Sequence, residues 1–146
     1  MKYQRRVDLV APLTALLAEH SQLSIIEADV IAAVPLAPAR QRERGYNQAE
    51  LLARALATST RHPYVQGLYR TRETADQVGK NAAERHANVR GAFRADAGAF
   101  RKKCVLLIDD VCTTGATLDA CAVALQAQGV EKVYGLTVAR PRERVV

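Results

Sequence analysis

The stretch from Cys104 to Gln128 constrains the fold of this chain more than any other part of the sequence. It begins with a continuous apolar run, Cys104 to Ile108, which is typical of a strand in a parallel sheet covered on both faces. Two adjacent acids, Asp109 and Asp110, follow where that run ends. We therefore expect both acids at the carboxyl end of a strand, where an open α/β sheet binds its ligands.

The five residues from Thr113 to Thr117 (TTGAT) predict an anion site. Small side chains and a glycine allow a ligand to approach the backbone closely and meet its N–H groups. A helix is predicted directly after this loop, and it adds unpaired donors and the positive end of its dipole. Its apolar positions follow the spacing i, i+3, i+4, i+7 at Leu118, Cys121, Ala122 and Leu125, before Gly129. Such a turn can hold a phosphate without a lysine.

The acid pair narrows the class of ligand. Two carboxylates repel a phosphate, so they are expected to face a neutral or cationic group such as sugar hydroxyls or a metal ion. Together the acids and the loop predict a sugar phosphate. The alternative is that Asp109, Asp110 and the threonines merely cap a helix, but capping accounts for one acid or one threonine and not for the set.

Length and composition indicate one globular domain, residues 1–146, with 49% hydrophobic and 25% charged residues. No apolar run is long enough for a transmembrane helix, and the N-terminus lacks the apolar core of a signal peptide, so a cytoplasmic location is expected. The three cysteines lack a C-x-x-C pair and indicate neither a disulfide framework nor a zinc cluster. The three histidines (His20, His62 and His86) are isolated and are expected on the surface.

Two further segments are rich in arginine, consistent with the net charge of +6 and with anionic partners. Leu36 to Arg44 is predicted as a loop after a strand, Asp29 to Val34, and so belongs at the same sheet edge as the acids. The alternative for this loop is a solvated basic surface. Arg70 to Phe93 is long and polar, and such a segment inside a domain is usually a lid or binding loop.

The remaining segments give a coarse secondary structure. A helix is predicted over Asp8 to His20, and strands are predicted over Tyr64 to Tyr69 and Lys132 to Ala139. Capping patterns predict helix starts at three places. They are Asn47 with Glu50, Thr74 with Gln77, and Asn81 with Glu84.

The sequence VLLIDDVCTTGAT, Val105 to Thr117, closely resembles the thirteen-residue phosphoribosyl diphosphate (PRPP) signature of type I phosphoribosyltransferases. The resemblance implies their three-layer α/β fold, with a mostly parallel central sheet flanked by helices and a small hood with a flexible loop. It also implies that the acids bind the ribose hydroxyls and that the loop wraps the 5′-phosphate. The implied PRPP-binding residues are Asp109, Asp110, Thr113, Thr114, Gly115, Ala116 and Thr117.

Two other patterns resemble the ComF family of competence-related phosphoribosyltransferase-like proteins: V-P-L…R-x-x-R-G-Y-N-Q-A-E-L-L-A and R-x-R-x-T-x-x-Q…E-R-x-x-N-V-x-G-A-F. The first implies that Leu36 to Arg44 is a diphosphate loop, and the second lies in the hood, approximately residues 64–94. The chain departs from the family at Lys80 and Asn81, where a Leu and a small hydroxyl are common. It also begins without the usual N-terminal zinc-binding segment, as expected of a short member or a trimmed chain. The implied contacts are Leu36, Ala37 and Arg44 in the diphosphate loop, and Arg70, Arg72, Gln77 and Arg85 in the flexible loop.

The resemblance implies an enzyme that binds PRPP with Mg²⁺, releases diphosphate and transfers the phosphoribosyl group to an unknown nitrogenous acceptor. Mg²⁺ is expected to be held through PRPP and water with no direct protein ligand, and Asp110 and Arg44 are the candidate catalytic residues. One alternative is a sensor that only binds PRPP. Another is a module for DNA uptake that contacts single-stranded DNA or competence proteins through its arginine-rich loops. With 5% aromatic residues and no Trp, such DNA binding would be mainly electrostatic. The signature specifies the donor but neither the acceptor nor the oligomeric state.

Overall fold

The computed structural model describes residues 8–19, 27–72, 79 and 81–141. Helices and strands alternate along most of this part of the chain, as in an α/β fold. In chain order the elements are α1 (Val10–Glu19), β1 (Val30–Ala33), α2 (Pro38–Arg44), α3 (Gln48–Thr60), β2 (Leu68–Arg70), α4 (Ala82–Val89), β3 (Phe93–Ala95), β4 (Cys104–Val111), α5 (Ala116–Gln126) and β5 (Lys132–Ala139).

The central sheet has the strand order β1-β4-β5, and both pairs of neighbours are parallel. Val30 pairs with Val105, and Asp109 pairs with Thr137, so β4 lies in the middle of the sheet. On the outer side of β1, Tyr64 forms a parallel bridge with Ile31. The strand that carries the two acids is therefore supported by a neighbour on each side.

Alternate residues of the sheet pack into two separate hydrophobic cores. Ile31, Leu106 and Ile108 pack with α1 and α3 on one face. On the other face, Val105 and Leu107 pack with α5 and with the segment between β2 and β4. Because both faces of β4 are covered, its sequence is a continuous apolar run. The predicted α/β fold with a parallel sheet between layers of helices is confirmed.

The antiparallel pair β2 and β3, with α4 between them in the sequence, lies in the segment predicted as the hood, and we use that name for it below. Leu68 and Phe93, one from each strand, are buried in the same core as α5. Helix α4 begins with the predicted capping box, since Asn81 and Glu84 accept hydrogen bonds from each other's backbone N–H at 2.9 Å. The hood is thus packed directly against the helix that follows the TTGAT loop.

Several predicted elements differ in the structure. The predicted loop from Leu36 to Arg44 is mostly helix α2, because Pro38 suits the first turn of a helix and Gly45 ends it in the left-handed region, at φ 77°. The predicted strand from Tyr64 to Tyr69 is reduced to the bridge at Tyr64 and to β2, which begins only at Leu68. The short strand β3 was not predicted.

Of the other two predicted helix starts, one is confirmed in part and one cannot be compared with the structure. Asn47 caps α3, but Glu50 forms an ion pair with Arg54 at 2.9 Å instead of completing a capping box. The predicted start at Thr74 and Gln77 lies outside the described residues. Within the described ranges, no helix is long and apolar enough to cross a membrane.

Candidate functional site

A cavity of about 460 Å³, the main cavity, opens at the carboxyl edge of the central sheet. Its walls come from the end of β4 and the start of α5, from the segment after β1, and from the hood. The residues that line it are Val34, Pro35, Leu36, Arg40, Arg44, Asn47, Gln48, Arg70, Arg85 and every residue from Asp109 to Leu118.

The acid pair lies near the end of β4, which continues to Val111. The Asp110 N–H donates to Asp109 Oδ1 and the Val111 N–H donates to Asp110 Oδ1, each at 2.8 Å. Each carboxylate is therefore oriented by the backbone of the residue that follows it. Both acids line the main cavity.

Burial and the neighbouring charge of Asp110 raise the pKa of Asp109 from 3.8 to about 7, while the Arg70 guanidinium acts in the opposite direction. Near neutral pH the Asp109 carboxyl is thus partly protonated and can donate as well as accept a hydrogen bond. An acid pair in this state is suited to a group that carries several hydroxyls, because each hydroxyl both donates and accepts.

The TTGAT loop, Thr113 to Thr117, joins β4 to α5 and lines the main cavity throughout. Gly115 lies at φ 84°, a left-handed conformation that favours glycine, and it is the N-cap of α5 without a side-chain cap. The Thr114 hydroxyl accepts from the Ala116 N–H at 3.3 Å. The first N–H groups of a helix have no partner within the helix, so this end of α5 offers donors to an anion.

Among the described residues, four arginines line the main cavity, and they come from three elements. Arg40 and Arg44 are one turn apart on α2, Arg70 is on β2, and Arg85 is on α4. The Arg70 guanidinium lies 5.4 Å from the centre of the Phe93 ring. Arg85 Nε is buried and has no hydrogen-bond partner within the described ranges. Guanidinium groups are well suited to phosphate oxygens, so this wall is complementary to an anion.

The structure brings together most of the residues that the sequence singled out. The seven residues that the resemblance implied as PRPP-binding all line the main cavity, as do Leu36, Arg44, Arg70 and Arg85. Ala37 is buried at the start of α2 and does not line it. Arg72 donates instead to the carbonyls of Asn88 and Arg90, at 3.1 and 2.8 Å. Gln77 lies outside the described residues.

Asn47 and Gln48 also line the main cavity, although the sequence did not assign them to the site, and so does Arg40, which lies in the predicted diphosphate loop but was not named as a contact. Arg40 precedes Arg44 by four residues, so both project from one face once the segment is helical. Recognising Pro38 as a first-turn residue and Gly45 as a helix stop would have indicated this pairing.

His86 lies partly exposed at the surface, as predicted, but it is not isolated. Its Nε2 lies 3.2 Å from Asp119 Oδ2 on α5, and its Nδ1 lies 2.9 Å from the Ala82 carbonyl. The carbonyl hydrogen bond and Asp119 raise the pKa of His86. Since both ring nitrogens face acceptors, the imidazolium form satisfies both contacts, and it connects α4 to the first turn of α5.

A second cavity, of about 290 Å³, adjoins the main one and shares Pro35, Leu36 and Asn47 with it. Within the part of the chain that the structure describes, no group of three or more His, Cys, Asp or Glu side chains could hold a metal ion.

No family model matches the chain. The chain is 38% identical over 122 residues to competence protein F of Haemophilus influenzae, a match that covers 82% of this chain and 52% of that protein. It is 31% identical over 143 residues to the DNA utilization protein YhgH of Escherichia coli O157:H7, covering 91% and 61% respectively. The chain thus spans half to three-fifths of the length of these curated relatives.

Solved structures show the same fold. Glutamine PRPP amidotransferase from B. subtilis has a TM-score of 0.61 and 26% identity, covering 88% of this chain and 26% of that one. A purine phosphoribosyltransferase from Pyrococcus horikoshii has a TM-score of 0.57 and 19% identity, covering 94% and 76%. Both similarities extend over nearly the whole of the present chain.

Proposed function

Because the chain belongs to the family of competence protein F and has the fold of type I phosphoribosyltransferases, we propose that its main cavity binds PRPP. The observation that carries this proposal is the juxtaposition of the acid pair, the TTGAT loop and an arginine wall around one cavity of about 460 Å³. A volume of this order is within the usual range for small-molecule sites.

The chemistry of each wall assigns one part of PRPP to it. The 5′-phosphate binds the TTGAT loop at the start of α5, and the ribose hydroxyls contact Asp109 and Asp110. The diphosphate then faces the segment after β1, where Arg40 and Arg44 are located. Arg70 and Arg85, from the hood, contribute positive charge on the remaining side.

In this proposal Mg²⁺ binds to the site together with PRPP. It would be held by the diphosphate and ribose oxygens of PRPP and by water, with no direct protein ligand, since Mg²⁺ keeps several waters and takes few ligands from a protein. Its chemistry in this site would be neutralisation of diphosphate charge. The protein residues would orient the ribose and hold the leaving group.

The reaction we propose is transfer of the phosphoribosyl group to a nitrogenous acceptor. The bond between the anomeric carbon and the diphosphate oxygen breaks, a bond from nitrogen to that carbon forms, and the nitrogen releases a proton. Arg44 would stabilise the negative charge that develops on diphosphate, and Asp110 would hold the ribose in place.

Calorimetric titration tests binding, and diphosphate-release assays test turnover. We expect PRPP with Mg²⁺ to bind more tightly than ribose 5-phosphate with Mg²⁺, and diphosphate to appear when bases, amines or ammonia are added. Binding without diphosphate release would favour a PRPP sensor over an enzyme. Absence of PRPP binding would contradict the proposal as a whole.

The second candidate function is a module that handles DNA, favoured by the relative named DNA utilization protein and by the arginines around the cavity. Single-stranded DNA would bind mainly through its phosphates. If about four phosphates are contacted, the logarithm of the affinity should fall with that of salt concentration at a slope of about −3. A flat salt response would exclude this candidate, and competition by PRPP would place the DNA in the main cavity.

A further inference from the structure

Asn47 joins the two ends of the segment that carries Arg40 and Arg44. Its side-chain amide donates to the carbonyl oxygen of Val34 at 3.0 Å, and its side-chain oxygen accepts from the Ala49 N–H at 3.1 Å. Only 7% of Asn47 is exposed, and it lines both the main cavity and the adjoining one. One side chain therefore caps α3 and closes a loop between residues thirteen positions apart.

The other side of Val34 is held by the sheet. Its N–H donates to the carbonyl of Ile108 at 2.9 Å, directly before the acid pair. The Val34 peptide groups are thus attached to β4 through the N–H and to the start of α3 through the carbonyl. These two hydrogen bonds therefore connect the main-cavity wall after β1 both to the strand that carries the acids and to α3.

Helix α2 needs such an attachment because it contributes no buried residue of its own. The chain leaves β1, passes through α2, turns at Gly45 and returns to Asn47. A short exposed helix is marginally stable in isolation, so its ends determine where its side chains lie. Before α2, the buried residues of the segment are Val34 and Ala37.

We infer that Asn47 is a positioning residue that clamps the segment from Val34 to Asn47, and that it thereby sets the preference of the main cavity for a diphosphate over a monophosphate. The inference rests on the proposed function. Asn47 acts through Arg40 and Arg44, whereas the TTGAT loop belongs to a different junction and does not depend on the clamp.

The substitution Asn47→Ser distinguishes the hydrogen bond to the Val34 carbonyl from the one with the Ala49 N–H. Serine is as good an N-cap as asparagine, so the bond to the Ala49 N–H can be kept. Its hydroxyl ends one bond beyond Cβ and cannot reach the Val34 carbonyl. Asn47→Asp also keeps the cap, but it places a carboxylate against that carbonyl and should have a larger effect. Ala57→Gly, a buried position of α3 outside both cavities, lowers stability without touching the clamp and is the matched control.

Calorimetry with PRPP and with ribose 5-phosphate, each with Mg²⁺, gives the ligand test. In Asn47→Ser we expect the dissociation constant for PRPP to rise about tenfold. For ribose 5-phosphate we expect a change of less than about twofold, and Ala57→Gly should leave the ratio between the ligands unchanged. Equal losses for both ligands, or no loss for PRPP, would overturn the inference. A wild-type chain that binds neither ligand would overturn the proposed function and this preference together.

Amide hydrogen exchange tests the clamp without any ligand. The Gln41 and Gly45 N–H groups donate to the carbonyls of Ala37 and Gln41 within this segment. Both should exchange about tenfold faster in Asn47→Ser, while the amide protons in the middle of α3 should not change. Unchanged exchange in α2 would refute the clamp even if PRPP binds as proposed.

Discussion

The two long walls of the main cavity are built in different ways. One wall, Asp109 to Leu118, is a single contiguous stretch in which the end of β4, the TTGAT loop and the start of α5 follow one another. The rest of the lining, which we call the assembled wall, collects Leu36, Arg40 and Arg44 from one segment and Arg70 and Arg85 from the hood. The first depends on local backbone geometry, and the second depends on contacts between distant segments.

This difference separates two roles in binding. The contiguous wall presents backbone donors and fixed carboxylates, which are suited to orienting a sugar phosphate. The assembled wall presents arginines on a short helix and on the hood, so small changes elsewhere can alter the placement of its charges. We therefore expect substitutions in the contiguous wall to affect every ligand with a ribose 5-phosphate group. Substitutions in the assembled wall should discriminate between ligands.

The largest effect is expected from Asp110→Asn, which removes a charged acceptor for a ribose hydroxyl. Hydrogen bonds to charged groups contribute about 1.5–3 kcal/mol, so affinity for both PRPP and ribose 5-phosphate should fall by about tenfold to a hundredfold. Thr114→Ala should act in the same direction. Calorimetry measures the losses, and thermal unfolding without ligand should confirm that the fold is intact. Unchanged thermal stabilisation by PRPP and Mg²⁺ in both variants would show that the ligand does not bind at the contiguous wall.

Arg44→Ala should lower affinity for PRPP by about tenfold and affinity for ribose 5-phosphate much less, since a charge-assisted hydrogen bond to diphosphate is lost. Arg42→Ala is the matched control, because Arg42 belongs to the same helix and is not part of the cavity lining. Calorimetry with both ligands compares the two variants. Equal losses of affinity for the two ligands would show that Arg44 does not contact the diphosphate.

Asp109→Asn should change how stability depends on pH. The folded state holds the Asp109 proton up to a pKa of about 7, whereas the unfolded state loses it near 3.8, so wild-type stability falls as pH rises between these values. The Asp109→Asn variant has no titrating group at this position, so its stability does not fall with pH for this reason. Its melting temperature relative to wild type should increase from pH 4 to pH 8, as measured by thermal scans. A difference independent of pH would show that the Asp109 pKa is not raised.

The smallest effect is expected at His86, on the surface between α4 and α5. Its pKa is raised in the folded state, so its contribution to stability is present at low pH and is lost as pH rises through that pKa. His86→Gln should lower the melting temperature slightly at pH 5.5 and not at pH 9. Asp119→Asn should give the same pattern, and a loss that persists at pH 9 would contradict the ionic contact.

The contiguous wall could be predicted from the sequence because its residues are neighbours in the chain. An apolar run followed by two acids, a glycine and a helical pattern leaves few arrangements of the backbone, and the resemblance to the PRPP signature identified the same residues. The assembled wall was predicted less well. Leu36 to Arg44 was expected to be a loop, and Arg40 within it was not named as a contact. Arg72 was expected to contact the ligand but donates to the carbonyls of Asn88 and Arg90.

The sequence by itself determined the parallel α/β fold, the position of the acid pair at the sheet edge and the turn between β4 and α5, since each follows from residues close together in the chain. Only the tertiary structure decided that Asn47 reaches Val34, that His86 meets Asp119, and that arginines from three elements face one cavity. These contacts join residues 13 and 33 positions apart, or separate elements. Their geometry is set by how the hood and α2 pack around the sheet, and no local pattern encodes that packing.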